Sequence, residues 1–282
     1  HVLIGQAIGA SRLPPDLAPS LAALHNDFGG PASGTGCWAN TLETSVPSCV
    51  FGDPQGSKTV VLYGDSHAAM WFNALDDITQ KDHLRLVVLT KAACGAGLLH
   101  FGNSVGWGNP QGEYAECDAW HRFALSRIQQ IHPSLVIVSQ EVDFAPGHRL
   151  FTLSQWRNGL EATLRRIVSP GTTALVLGDI PIAEWNVGAL FPRCLSINAQ
   201  AIHHCVTFPA FGRNYRQAEA QAAANVGVRY VNVIPWFCLN KCPAVIGHYA
   251  VYMDPWHVSA TYTRFLEPLL VKSTGLEQLS AS

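Results

Sequence analysis

Five short runs of β-branched and other apolar residues, each followed by a stretch with helical spacing or a loop, constrain this chain more than any other feature. The runs are 59–65 (TVVLYGD), 84–90 (LRLVVLT), 135–140 (LVIVSQ), 173–179 (TALVLGD) and 228–233 (VRYVNV). Runs of this length and composition suit buried strands. Helical spacing follows at 67–80, where Met70, Trp71, Ala74, Leu75 and Ile78 fall on one face, and again at 117–131, 153–168, 214–227 and 259–270. Ser154 is the expected N-cap of the 153–168 helix, Pro170-Gly171 its stop, and Gly227 the terminator of the helix before it. Strand and helix in alternation predict a parallel sheet covered on both faces. The expected fold is a three-layer α/β/α sandwich with a five-stranded, mainly parallel sheet of flavodoxin-like character. Ligands in such sheets bind beyond the carboxyl ends of the strands, where the strand order reverses.

Composition narrows the class. Of 282 residues, 48% are hydrophobic and 13% charged, which excludes a disordered chain. With 18 Lys+Arg against 20 Asp+Glu there is no basic excess for a nucleic-acid partner. The longest apolar runs are far shorter than the roughly 20 residues a helix needs to cross a bilayer. No signal peptide is visible and the chain begins at His1, so it reads as a fragment or processed product. Residues 1–36, rich in Pro, Gly and Ser, read as an extended arm with a short helix at Pro15 to Leu24. Residues 37–282 read as the main domain.

Eight cysteines fall in near pairs: Cys37/Cys49, Cys94/Cys117, Cys194/Cys205 and Cys238/Cys242. Each pair lies in a stretch where a loop is expected. Four local disulfides in an oxidising compartment is the favoured reading. The zinc alternative needs repeated knuckle spacing. Cys238-x3-Cys242 and His203-His204-Cys205 come nearest to it, and neither repeats.

Two motifs carry chemistry. Gly64-Asp65-Ser66-His67 lies where the first run ends and a helix begins. A serine there presents its hydroxyl at the sheet edge, with its own N–H at a helix start where developing negative charge is favoured. Asp65 or Ser66 serves equally as a helix N-cap. The second motif, Asp254-Pro-Trp-His257, precedes the last helix. A hydroxyl nucleophile needs a base in hydrogen-bond reach and a carboxylate to orient that base. One Asp-x-x-His turn supplies both; alternatively Asp254 makes an Asx-turn ahead of Pro255.

VVLYGDSHAAMW and DPWHVSATY resemble the first and last conserved blocks of the SGNH (GDSL-type) hydrolases. VVLTKAACG (87–95), residues 237–270 and the cysteine layout are similar to the SGNH domain C-terminal to the membrane-embedded acyltransferase-3 domain of bacterial cell-surface O-acyltransferases. The resemblance implies Ser66 as nucleophile, His257 as general base and acid, and Asp254 as orienting carboxylate. It further implies no metal or cofactor, an extracytoplasmic setting in periplasm or cell wall, and an integral-membrane acyltransferase-3 domain on the same full-length chain tethering it to the membrane. The activity it implies is acyl (chiefly acetyl) transfer to or from glycan hydroxyls, with an acyl donor and a glycan acceptor as partners. The alternative is a glycan-binding or structural cell-wall module with a relic triad.

The chain departs from that family at the oxyanion hole. After the third run it reads VSQEVDF (138–144), without the family's Asn. The Gln140 amide is the candidate replacement, or else an ordinary strand-end residue. Gly95 or Gly97 is the candidate N–H donor in the preceding loop, beside Ser66 itself. Trp256, next to His257, and Lys91 are the candidate substrate contacts. Trp107, Trp120, Trp185 and Trp236 read either as a sugar platform or as packing, and His67 as an ordinary first-turn residue.

Overall fold

The computed structural model of the chain describes residues 1–32, 35–101, 114–142, 151–181, 191–210 and 212–280. Trp107 and Trp185 lie outside them. Six strands form the central sheet: β1 (Val50–Gly52), β2 (Thr59–Gly64), β3 (Arg85–Thr90), β4 (Leu135–Ser139), β5 (Thr173–Leu177) and β6 (Arg229–Val231). Their order is β1-β3-β2-β4-β5-β6, parallel throughout except for β1, which runs antiparallel to β3. The five predicted strands are all present. The sixth, β1, is a three-residue edge strand beside a disulfide, too short to leave a pattern in the sequence.

β2 sits between β3 and β4, with Gly64 opposite Thr90 on one side and Ser139 on the other. The chain leaves β2 toward β3 and then returns to β4, so the strand order reverses at the carboxyl end of β2. That is the crevice position for ligands in open α/β sheets. Alternate residues of each strand feed two cores. Val60, Leu62, Leu86, Val88 and Ile137 pack under Trp71, Leu75 and Tyr262 on one face. Val61, Tyr63, Val87, Leu89 and Val138 pack under Trp120, Leu160 and Ala222 on the other. The protein is therefore a three-layer α/β/α sandwich.

The helices start and stop where local chemistry dictates. The expected 67–80 helix is one turn, Ser66–Ala69, then Phe72–Lys81, with the break at Met70-Trp71. The expected 259–270 helix likewise divides at Leu266, because Pro268 starts a new helix, Glu267–Thr274. Ser154 is not a cap: Thr152 accepts the Gln155 N–H, and the Gln155 side chain accepts in return. This reciprocal box outcompetes a single serine two residues on. Gly227, at φ +76°, closes Arg213–Val226 as expected.

The first 36 residues are less extended than their composition predicts. Val2–Ile8 is helical, with Ile4 and Ala7 in the core, while the expected 15–24 helix shrinks to Leu21–Leu24. The Ala18 backbone bonds to His248 and Ala250, and Asp27 accepts the N–H groups of Ala260 and Thr261. Four disulfides form with the neighbour pairing: Cys37–Cys49, Cys94–Cys117, Cys194–Cys205 and Cys238–Cys242. His121 lies beside the Cys94–Cys117 bridge and donates Nε2–H to the Gly95 carbonyl at 2.8 Å. Among the described residues, no helix is long and apolar enough to cross a membrane.

Candidate active site

The turn that carries Ser66 is built on Gly64. At φ +150° this residue turns the chain out of β2, and a Cβ there would overlap the Ser139 carbonyl and press on Ala68 Cβ at 2.9 Å. Asp65 takes the cap: its Oδ1 accepts the His67 N–H at 2.8 Å and its Oδ2 the Glu141 N–H at 3.0 Å. The cap role belongs to Asp65, and Ser66 is left as the first helical residue, partly exposed at the sheet edge. Its hydroxyl has no hydrogen-bond partner among the described residues.

His257 arrives from the far end of the chain on the loop between Tyr252 and Val258, which pair across it. Asp254 makes both of the contacts foreseen for it. Its Oδ1 accepts the N–H groups of Trp256 (2.8 Å) and His257 (2.7 Å), and its Oδ2 accepts His257 Nδ1–H at 2.7 Å. Burial alone would push the Asp254 carboxyl up, but these hydrogen bonds and the His257 ring hold it below its ordinary value. With Nδ1–H committed to Asp254, Nε2 is the basic nitrogen. The His257 ring lies 5.4 Å, centroid to centroid, from that of His67, the residue after Ser66. Phe28 of the arm packs edge-on against it at 5.0 Å.

Sequence reasoning missed a buried cluster under this turn. His67 is fully buried and donates Nδ1–H to Asp179 Oδ1 at 2.6 Å. Asp179 Oδ2 accepts the Val142 N–H at 3.1 Å. Glu141 Oε2 lies 3.9 Å from His67 Nε2. Burial opposes charge on the His67 ring. The Asp179, Glu141 and Asp65 carboxyls outweigh it and push His67 up to about 10. A fully buried ring paired to a carboxyl is not an ordinary first-turn residue. The missed signal was the Gly-Asp that ends both 59–65 and 173–179.

Two candidate contacts prove to be internal braces. Lys91, fully buried, donates to the carbonyls of Asn40 (2.6 Å), Thr41 (2.9 Å) and Glu43 (2.6 Å), with its ammonium 5.1 Å from the Tyr114 ring centre. Its donors are spent on holding the 40–43 segment in place of a substrate. Burial pulls this ammonium down to about 8. Gln140 accepts the Gly97 N–H (3.0 Å) and donates to Glu219 Oε1 (2.8 Å), so both ends of its amide are engaged. Gly95 lies where a Cβ would meet Phe101 at 2.9 Å and Gln140 Oε1 at 3.1 Å. Trp256 is 38% exposed beside His257. Trp120 is core and Trp236 packs edge-on against Trp71.

Glu219 also accepts Trp156 Nε1–H, and burial pushes its carboxyl up to about 8. A carboxyl raised on folding loses stability as pH climbs from its ordinary value through its folded one. Glu219→Gln keeps an oxygen for both donors and removes that loss. Its melting temperature should match the parent at pH 5 and exceed it at pH 9, by a gain on the order of 2 kcal/mol.

A reversing parallel sheet, a strand-end serine and a closing His–Asp loop define a class of α/β proteins that carry out ester hydrolysis and acyl transfer. Residues 36–272 match the family described as "SGNH domain (fused to AT3 domains)", and the chain belongs to that family. It is similar in structure to the periplasmic domain of a lipopolysaccharide acetyltransferase from Salmonella ser. Paratyphi A, at 16% identity and TM-score 0.58, covering 80% of this chain and 85% of that one. A lipase/acylhydrolase from Enterococcus faecalis aligns at 13% identity and TM-score 0.43 over 76% of this chain and 94% of that one. A peptidoglycan O-acetylesterase aligns at 13% identity and TM-score 0.43 over 71% and 48%. At 16% identity the likeness to the Salmonella domain speaks for the fold alone. No curated protein matches the chain significantly.

Proposed function

We propose that the chain is a serine-dependent acyl-transfer domain acting on glycan hydroxyls of the cell envelope, with acetyl as the preferred group. The observation that carries this reading is the Asp254–His257 pair, its Nδ1 fixed at 2.7 Å and its ring against the residue following Ser66. His257 Nε2 takes the Ser66 proton as Oγ attacks the acyl carbonyl, and Asp254 stabilises the resulting imidazolium. The N–H groups of Ser66 and Gly95 are the proposed oxyanion donors. His257 then returns the proton as the leaving group departs. A sugar hydroxyl or water, deprotonated by the same nitrogen, takes the acyl group. Exposed Trp256 is the proposed sugar contact. This chemistry needs no metal or cofactor.

Residues 1–36 are read as an arm of the catalytic domain 37–282. Four disulfides support an oxidising compartment, in periplasm or cell wall. The fusion named in the family's description supports an integral-membrane acyltransferase-3 domain on the full-length chain, which would supply the acyl group. The test is labelling with a fluorophosphonate, in which the serine oxygen displaces fluoride at phosphorus. Mass mapping should place a single adduct on Ser66. An unlabelled protein that still binds glycan overturns the reading in favour of a binding module.

A further inference from the structure

His67 has no part in the chemistry above, yet it occupies the most charged interior of the molecule. Three carboxyls converge on its fully buried ring from three elements: Asp65 from the turn after β2, Glu141 from the loop after β4, and Asp179 from the end of β5. Two of them also hold backbone or ring N–H groups. Asp65 takes those of His67 and Glu141, while Asp179 takes that of Val142 and the His67 ring. Beyond Asp179 stand Arg216 and Glu219 on helix Arg213–Val226, with Tyr230 and Tyr252. On the remaining side is the His257 ring, 5.4 Å away, with Asp254 behind it. His67 Nε2 is buried without a hydrogen-bond partner among the described residues.

We propose that His67 is a positioning residue for the Ser66–His257 pair, an imidazolium serving as the counter-charge to Asp65, Glu141 and Asp179 that leaves His257 free to accept a proton. Without it, three buried carboxyls would stand uncompensated behind the partly buried His257 ring. They would favour a proton on the nitrogen that has to be bare. The buried cationic ring offsets part of that field and adds its own repulsion toward a second charged imidazole. The local distances favour this over simple packing. The Asp179 bond is short, the Nε2 side faces Glu141 at 3.9 Å, and the next ring outward is His257. The inference rests on the reading of Ser66 and His257 as the reacting pair.

The test is the pH dependence of the fluorophosphonate labelling rate at Ser66 in the folded protein. In His67→Gln the acid limb should move up by about one pH unit. Labelling should be about tenfold slower on the acid side, with the two rates converging on the alkaline side. A uniform loss at all pH values, or an unmoved limb, overturns the counter-charge role while leaving the catalytic reading intact. Absence of labelling in the unsubstituted protein overturns that reading instead. A direct measurement guards against a variant that does not fold. In the unsubstituted protein, nitrogen-15-labelled at histidine, the His67 ring should carry protons on both nitrogens at pH 8. A neutral His67 ring at that pH overturns the proposal.

Discussion

Ser66→Ala is expected to lower turnover of an aryl acetate by roughly 10⁴–10⁶-fold in kcat, and His257→Ala to reach the same floor. The two side chains act as one unit, so the double variant should lose no more than either single one. The fold should not register the serine change. Ser66 Oγ has no bonding partner among the described residues, and Asp65 supplies the cap. Thermal melting of Ser66→Ala should therefore superimpose on that of the parent. His257→Ala removes one acceptor contact from Asp254 but leaves its two backbone bonds, so only a small change in melting is expected. Measured kcat for the three variants, with melting curves alongside, decides the matter. A double variant much slower than either single one would show that the residues do not act together.

Gly64→Ala is expected to be the most damaging single methyl in the protein. The added carbon meets the Ser139 backbone carbonyl and Ala68 Cβ, at a φ of +150° that side-chain-bearing residues rarely adopt. A backbone atom in the central sheet cannot swing aside as a flexible side chain can. The cost should be about 4 kcal/mol, a melting drop on the order of 10 °C for a chain of this size. Gly171→Ala is the internal control. It shares a left-handed φ, +83°, but has nothing within 4 Å of the new carbon. Only the backbone term remains there, about 1 kcal/mol. Denaturant melts of both variants separate steric overlap from backbone preference.

The strands were legible because a sheet covered on both faces demands unbroken apolar runs, and Thr59–Gly64, Arg85–Thr90 and Leu135–Ser139 come close to that. Helix interruptions were not legible. Met70-Trp71 keeps the apolar spacing across a break in the backbone, and periodicity cannot register a change of axis. Ser66, Asp254 and His257 stood out because a nucleophile turn and an Asp-x-x-His loop are local in sequence. Lys91 and Gln140 lie at the same edge of the sheet as Ser66, with their polar groups bonded to the protein itself. Nothing in a sequence tells whether an ammonium meets a substrate or the carbonyls of Asn40, Thr41 and Glu43. The acid cluster around His67 was invisible for a related reason. Its members come from three separate strand ends, and only the register of β2, β4 and β5 brings them together.

The arm that packs Phe28 on His257 also changes what the reactive serine can report. The candidate site draws on Phe28, on the turn at 64–67, on Glu141 and Asp179 near the middle of the chain, and on Asp254 and His257 in its last thirty residues, with the sheet as their common frame. No contiguous fragment contains both the nucleophile turn and its base without nearly the whole domain between them. If Ser66 reacts as proposed, its labelling is expected to separate molecules with the Asp254–His257 loop in place from compact, disulfide-bonded ones that lack it.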